Sequence, residues 1–140
     1  AKGKRVEKRQ FAPGTRGQQY LGACEFQLID DEKHPDAARG TIRKTGALYG
    51  LVAPQQPANA PAGIWHQGQL KKQGLNVEHW VNGKLVLATR LDSPEIAAKL
   101  SAYPVRLAEY RASLEKRSTI ALQNHGDSAV WFRYLRVKDN

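Results

Sequence analysis

Cysteine is nearly absent. Cys24 is the only one in 140 residues, which excludes an intramolecular disulfide and any zinc cluster built on cysteines. Its alternating neighbours Phe26 and Leu28 predict a buried thiol rather than a catalytic one. Acidic residues are scarce too: 13 Asp+Glu face 22 Lys+Arg, a net charge of +9. From Thr45 to Gln69 there is no Asp, Glu, Lys or Arg at all, yet the prolines and glycines scattered through that stretch exclude a membrane-spanning helix. Nothing resembles a secretory signal, and there is no internal repeat or low-complexity tract. No His-x-His or His-Glu-x-x-His spacing occurs, so any metal site would be assembled across strands.

What is present suits one soluble domain, with 41% hydrophobic residues. The charge is unevenly spread. Lys2, Lys4, Arg5, Lys8 and Arg9 against Glu7 place +4 of the +9 in the first ten residues. Residues 1–20 therefore read as a basic, aperiodic N-terminal arm, and 21–140 as the folded domain.

The domain reads as strands. Cys24, Phe26 and Leu28 alternate with Glu25 and Gln27, the pattern of a half-buried strand over Ala23–Ile29. Strands follow at Thr45–Val52, Ile64–Lys72 and Leu75–Val81, with loops at Asp30–Lys44 and Pro54–Gly63. Val77–Val81, Asn82-Gly83 and Lys84–Ala88 spell a hairpin, because Asn-Gly supplies the positive φ angles of a two-residue type I′ turn. Apolar residues on both its faces predict that it lies inside a sandwich. Ser93-Pro94-Glu95 opens a helix, and a second runs from about Val105 to Lys116. Thr119–Gln123 and Ala129–Val137 close the chain as strands, the latter with a change of phase that implies a bulge near Arg133-Tyr134.

Several segments carry a resemblance. Glu25-Phe26-Gln27-Leu28-Ile29-Asp30-Asp31, ending in the His34-Pro35-Asp36 loop, is similar to the strand-and-loop signature of the 3-keto-disaccharide hydrolase family. Gly46-Ala47-Leu48-Tyr49, Glu78-His79-Trp80-Val81-Asn82-Gly83, and Ile120–Gly126 with Val130–Arg133 resemble its later segments, in the same order. The resemblance implies an all-β fold, a concanavalin-like jelly-roll β-sandwich with one or two short helices near residues 94–116. That sandwich is expected to be partial, since the family's N-terminal strands have no counterpart before Glu25. Missing strands imply exposed apolar surface, and hence a homo-oligomer or a partner chain that supplies them.

The resemblance also implies cleavage of glycosides oxidised at carbon 3, by elimination or hydrolysis. A ketone at C3 acidifies the C2 proton, so a base can remove it while the C1 substituent leaves. Glu25, or His125 in its neutral form, is the candidate base, and Asp30 the second carboxylate. Glu25 and Gln27 share a face, and whether Asp30 or Asp31 joins them depends on a bulge. Lys33, a metal ion or backbone N–H groups would stabilise the enolate oxygen. Gln27, Lys33, His34, Tyr49, His79 and Gln123 are the candidate substrate contacts, although His66 and His79 lie in strands, where a structural role is usual. Tyr49 is read as a sugar platform and Trp65 as core. No metal ligand is assigned; Asp30, Asp31 and His34 would be the set for a divalent ion.

A non-catalytic carbohydrate-binding module is the alternative, with Glu25 and Gln27 simply holding hydroxyls. Nucleic acid is disfavoured despite the charge, for want of a helix-turn-helix, a finger spacing or aromatic platforms among the basic residues. The expected ligand is a carbohydrate, with no membrane partner, and the expected location is periplasmic or extracellular.

Overall fold

Asn82 and Gly83 have φ of 51° and 77°, the positive values that their turn requires. In the computed structural model, residues 4–5, 24–101, 104–114, 120–124 and 129–138 are described. Their strands are β1 (Lys4–Arg5), β2 (Gly68–Gln73), β3 (Asn76–Val81), β4 (Lys84–Arg90) and β5 (Arg136–Val137). Two helices, α1 (Pro94–Ser101) and α2 (Pro104–Leu114), follow β4. All strand pairs are antiparallel and the helices are short, as expected of a partial jelly roll. The chain divides into two compact units, one of Gln19–Lys116 and one of Ala1–Gln18 with Arg117–Asn140.

The first unit is built around the meander β2-β3-β4. Val77, His79 and Val81 of β3 are buried, whereas every residue of β2 is exposed. The hairpin is thus inward on one face only, not on both as its composition predicts. A bulge explains the packing of β4. His79 lies opposite Leu87 but Trp80 opposite Leu85, so Val86 is extra. Val86 and Leu87 are sequence neighbours and both fully buried, which strict alternation forbids and a bulge permits. Leu87 joins Leu48, Val52, Val77, Leu91, Ile96 and Tyr110 in the main core, and Val86 joins Val81 and Ala58 in a second cluster. Each such Leu or Ile contributes on the order of 1.5–3 kcal/mol of burial.

The two outer strands are treated differently. The Gln55 side chain lies along β4, accepting from the Ala88 N–H and donating to its carbonyl, each at 3.0 Å, so the amide stands in for a neighbouring strand. β2 carries no such cover among the described residues. Past β4, Ser93 Oγ accepts the Ile96 N–H at 3.4 Å and starts α1, the expected capping role.

Among the described residues, the strands expected over Ala23–Ile29 and Thr45–Val52 are reduced from residue 24 on to isolated bridges, Phe26 with Leu48 and Leu48 with Val52. Gly46 and Gly50, at φ 91° and 70°, bend the chain on either side of Leu48 and stop the ladder from extending. Three backbone bonds still tie the segments: Gln27 N–H to Ala47 O, Gly46 N–H to Gln27 O, and Tyr49 N–H to Glu25 O. Cys24 and Leu28 are exposed rather than buried, because the regular alternation that would turn them inward is never established.

In the second unit, β1 pairs with β5, Lys4 opposite Val137 and Arg5 opposite Arg136. Part of the segment read as an aperiodic arm therefore belongs to a strand pair. Residues 120–124 and 129–133 have no regular structure, in contrast to the two strands expected there. Tyr134 has φ 56°, at the position where the change of phase predicted a bulge. Trp131 and Tyr134 are largely exposed, as are Ile64 and Trp65 of the first unit, so Trp65 is not core.

Candidate functional site

The loop that follows Ile29 is folded by its own carboxylates. Asp30 Oδ1 accepts the N–H of Glu32 at 3.1 Å and of Lys33 at 3.0 Å, an Asx turn. Asp31 Oδ1 accepts the Thr45 N–H at 2.7 Å, while Thr45 Oγ1 donates to Ile29 O at 2.8 Å and accepts the Ile29 N–H at 3.1 Å. His34 Nδ1 accepts the Asp36 N–H at 3.1 Å. Asp30, Asp31 and His34, the candidate metal set, thus each bind backbone, and no metal-holding group of His, Cys, Asp and Glu exists among the described residues. Lys33 is exposed.

This loop delivers Asp36 to Tyr49. The Tyr49 hydroxyl donates to Asp36 Oδ2 at 2.8 Å and accepts from an Arg43 Nη1–H at 2.6 Å. Arg43 also donates to Asp36 Oδ1 at 2.9 Å, and its guanidinium lies 5.2 Å from the Tyr49 ring centroid. Arg39 adds a contact of 3.1 Å to the same carboxylate oxygen. Burial pushes the Asp36 carboxyl up, but the Tyr49 hydroxyl and the two guanidiniums outweigh it and hold it below the usual range. The Tyr49 phenol is raised, first by burial and then by its bond to Asp36; Arg43 opposes this, and the charges of Asp36 and Glu25 add to it.

Glu25 is half-buried, within electrostatic reach of that phenol, and its backbone carbonyl holds the Tyr49 N–H. Gln27, also half-buried, donates from Nε2 to Arg43 O at 3.3 Å. The fold therefore gathers Glu25, Gln27 and Tyr49 with Asp36 and Arg43. The last two are missing from the sequence-based candidates. Asp36 stands inside the His-Pro-Asp signature, which was the available signal; nothing in the spacing of Arg43 marks it. Gln123 belongs to the other compact unit, and His125 lies outside the described residues.

His79 is fully buried. Its ring stacks on Phe26 with centroids 4.2 Å apart, Nδ1 is 2.9 Å from Gly46 O, and Nε2 has no partner among the described residues. The carbonyl can only accept, so Nδ1 carries the hydrogen and Nε2 the lone pair. Burial holds the ring below its ordinary pKa, outweighing the Gly46 bond. An unfolded histidine takes up its proton near pH ~6.5, where the native ring does not. Stability from this residue is complete above that pH and falls as the solution is acidified towards the lowered native value. Chemical denaturation at pH 7.5 and 5.5 is expected to show a loss that shrinks in His79→Phe. An equal loss in the variant would refute the assignment.

The family described as the 3-keto-alpha-glucoside-1,2-lyase-like domain matches residues 5–138. A 3-keto-disaccharide hydrolase of Bacteroides thetaiotaomicron is 31% identical over an alignment of 131 positions, gaps included, and the match covers 85% of this chain and 44% of that protein. The chain thus spans less than half the length of this curated relative. Two crystal structures of proteins assigned as glycosyl hydrolases, both from Parabacteroides distasonis, are similar at 27% and 25% identity, with TM-scores of 0.49 and 0.48. The matches cover 61% and 53% of this chain, and 41% and 38% of theirs.

Proposed function

The chain belongs to the family of 3-keto-alpha-glucoside-1,2-lyase-like domains, and from that premise we propose that it acts on carbohydrate, cleaving 3-keto-glycosides at the Glu25–Tyr49 site. The observation that carries this reading is Glu25, half-buried beside a phenol that Asp36 and Arg43 fix from two sides. Glu25 removes the C2 proton, which the neighbouring ketone has made acidic. The electron pair left at C2 forms a double bond to C1, and the C1–O bond breaks with its electrons on the departing oxygen, which then takes up a proton. The Arg43 guanidinium supplies positive field for the enolate that develops at the C3 oxygen. Gln27 and the Tyr49 hydroxyl orient the sugar by hydrogen bonds. Addition of water to the unsaturated product would give the net result of hydrolysis, so lyase and hydrolase names describe successive stages of one route.

The experiment is incubation of a 3-keto-disaccharide with the protein in D₂O, followed by NMR. Elimination through C2 predicts loss of the C2 proton signal together with release of the aglycone. Release with the C2 proton retained throughout would refute proton abstraction, and saturable binding without release would leave the carbohydrate-binding module as the reading.

A further inference from the structure

The outward face of the β2-β3-β4 meander carries an arrangement that the Glu25 site does not use. Alternation turns Val77, His79 and Val81 into the core and leaves Glu78 and Trp80, both half-buried, on the opposite face. Register places Lys71 of β2 opposite Glu78, and Gln69 opposite Trp80. Trp80 Nε1–H donates to Glu78 Oε2 at 2.8 Å. Lys71 Nζ lies 3.8 Å from that same oxygen and 4.4 Å from the indole centroid. One indole is thereby fixed in orientation and bordered by a carboxylate, an ammonium and an exposed amide.

We propose that this face is a second carbohydrate-binding surface, which docks a pyranose ring of a neutral oligosaccharide on Trp80. The choice of ligand class rests on the carbohydrate-acting reading above; the location does not. A pyranose presents a face of weakly electropositive C–H bonds and a rim of hydroxyls. The indole π-face attracts positive charge, and the position of Lys71 shows where a guest is drawn. The Lys71 side chain is 50% exposed, so water competes for it and a sugar displaces it readily from the ring. The ammonium then stays with Glu78, and both serve hydroxyls, as does Gln69. One carboxylate beside one ammonium leaves no net charge at the platform, which favours a neutral sugar over an anionic one. The sheet itself separates this surface from Phe26 and Gly46, which contact His79 from the inward side.

The test reads the three indole N–H signals by ¹H–¹⁵N NMR during titration with maltohexaose and laminarihexaose, with Trp80 assigned through Trp80→Phe. A saturable shift of the Trp80 signal with at least one of the two is expected. Calorimetric affinity should fall at least tenfold in Trp80→Ala and less in Trp80→Phe, which keeps an aromatic face in place. If Trp80→Ala fails to fold, the wild-type titration and Trp80→Phe decide. A Trp80 signal that neither sugar moves, or an affinity that Trp80→Ala leaves unchanged, would overturn the proposal. So would a Trp80 shift produced by raising protein concentration alone, which would assign the face to a second copy of the chain. Binding is read without catalysis, so a Glu25→Gln protein that kept its turnover would undo the catalytic reading and leave this result standing.

Discussion

Glu25→Gln is expected to lower turnover of a 3-keto-disaccharide by roughly 10²- to 10⁴-fold, the usual contribution of a positioned base. The substitution preserves shape and removes only the ability to accept a proton. The backbone carbonyl of residue 25 keeps its bond to the Tyr49 N–H, so the segment stays in place. The effect should therefore fall on kcat, with KM within about threefold of wild type, as for a group whose role is confined to the transition state. Steady-state kinetics and a thermal melt on the same samples check it. Activity within tenfold of wild type would remove Glu25 from the role of base.

Gly46→Ala carries the largest expected loss of stability. Gly46 is buried at φ +91°, and a Cβ there would stand 2.7 Å from Val86 Cγ2. Val86 is itself fully buried at the bulge and has little room to retreat. Backbone strain and overpacking together predict a cost of about 2–6 kcal/mol. Gly50→Ala is the control: φ is +70°, but nothing lies within 4 Å of the added carbon. It should cost only about 1–2 kcal/mol, the strain part alone. Urea denaturation of the two variants separates the contributions, and equal losses would show that contact with Val86 is unimportant.

The hairpin was legible because Asn82-Gly83 has one low-energy way to reverse a chain between two apolar runs. The capped helix at Ser93-Pro94-Glu95 was legible for the same kind of local reason. The bulge at His79/Trp80 was not, since it depends on how β4 packs across its partner rather than on any residue in it. The candidate site was half legible. Glu25, Gln27 and Tyr49 stood out by type and resemblance, but Arg43 acquires its role only when the Asp30–Lys44 loop folds back, which Asp31 accomplishes through the Thr45 N–H. The alternation of Cys24, Phe26 and Leu28 was a true pattern with a false implication. Glycines twenty residues later, at 46 and 50, prevent the partner strand from running straight.

The two-residue turn at Asn82-Gly83 and the tight one at Gly74 also bear on the order of assembly. The ladders that join β2, β3 and β4 link residues close together in the chain, so they close with small loss of loop entropy. The Glu25–Tyr49 region depends on distant partners, among them Gly46 and His79, which stand 33 positions apart. We expect the meander to form early on the folding route and the Glu25–Tyr49 region to condense onto it afterwards. Kinetic φ-values near zero at Phe26 and Leu48, with values well above 0.5 at Val77 and Leu87, are the anticipated pattern, and the reverse would refute it. A protein assembled in this order holds its scaffold while the Glu25–Tyr49 region is still unmade, so partial denaturation should release the Gln27, Gly46 and Tyr49 amides to exchange before it abolishes the hairpin's amide protection.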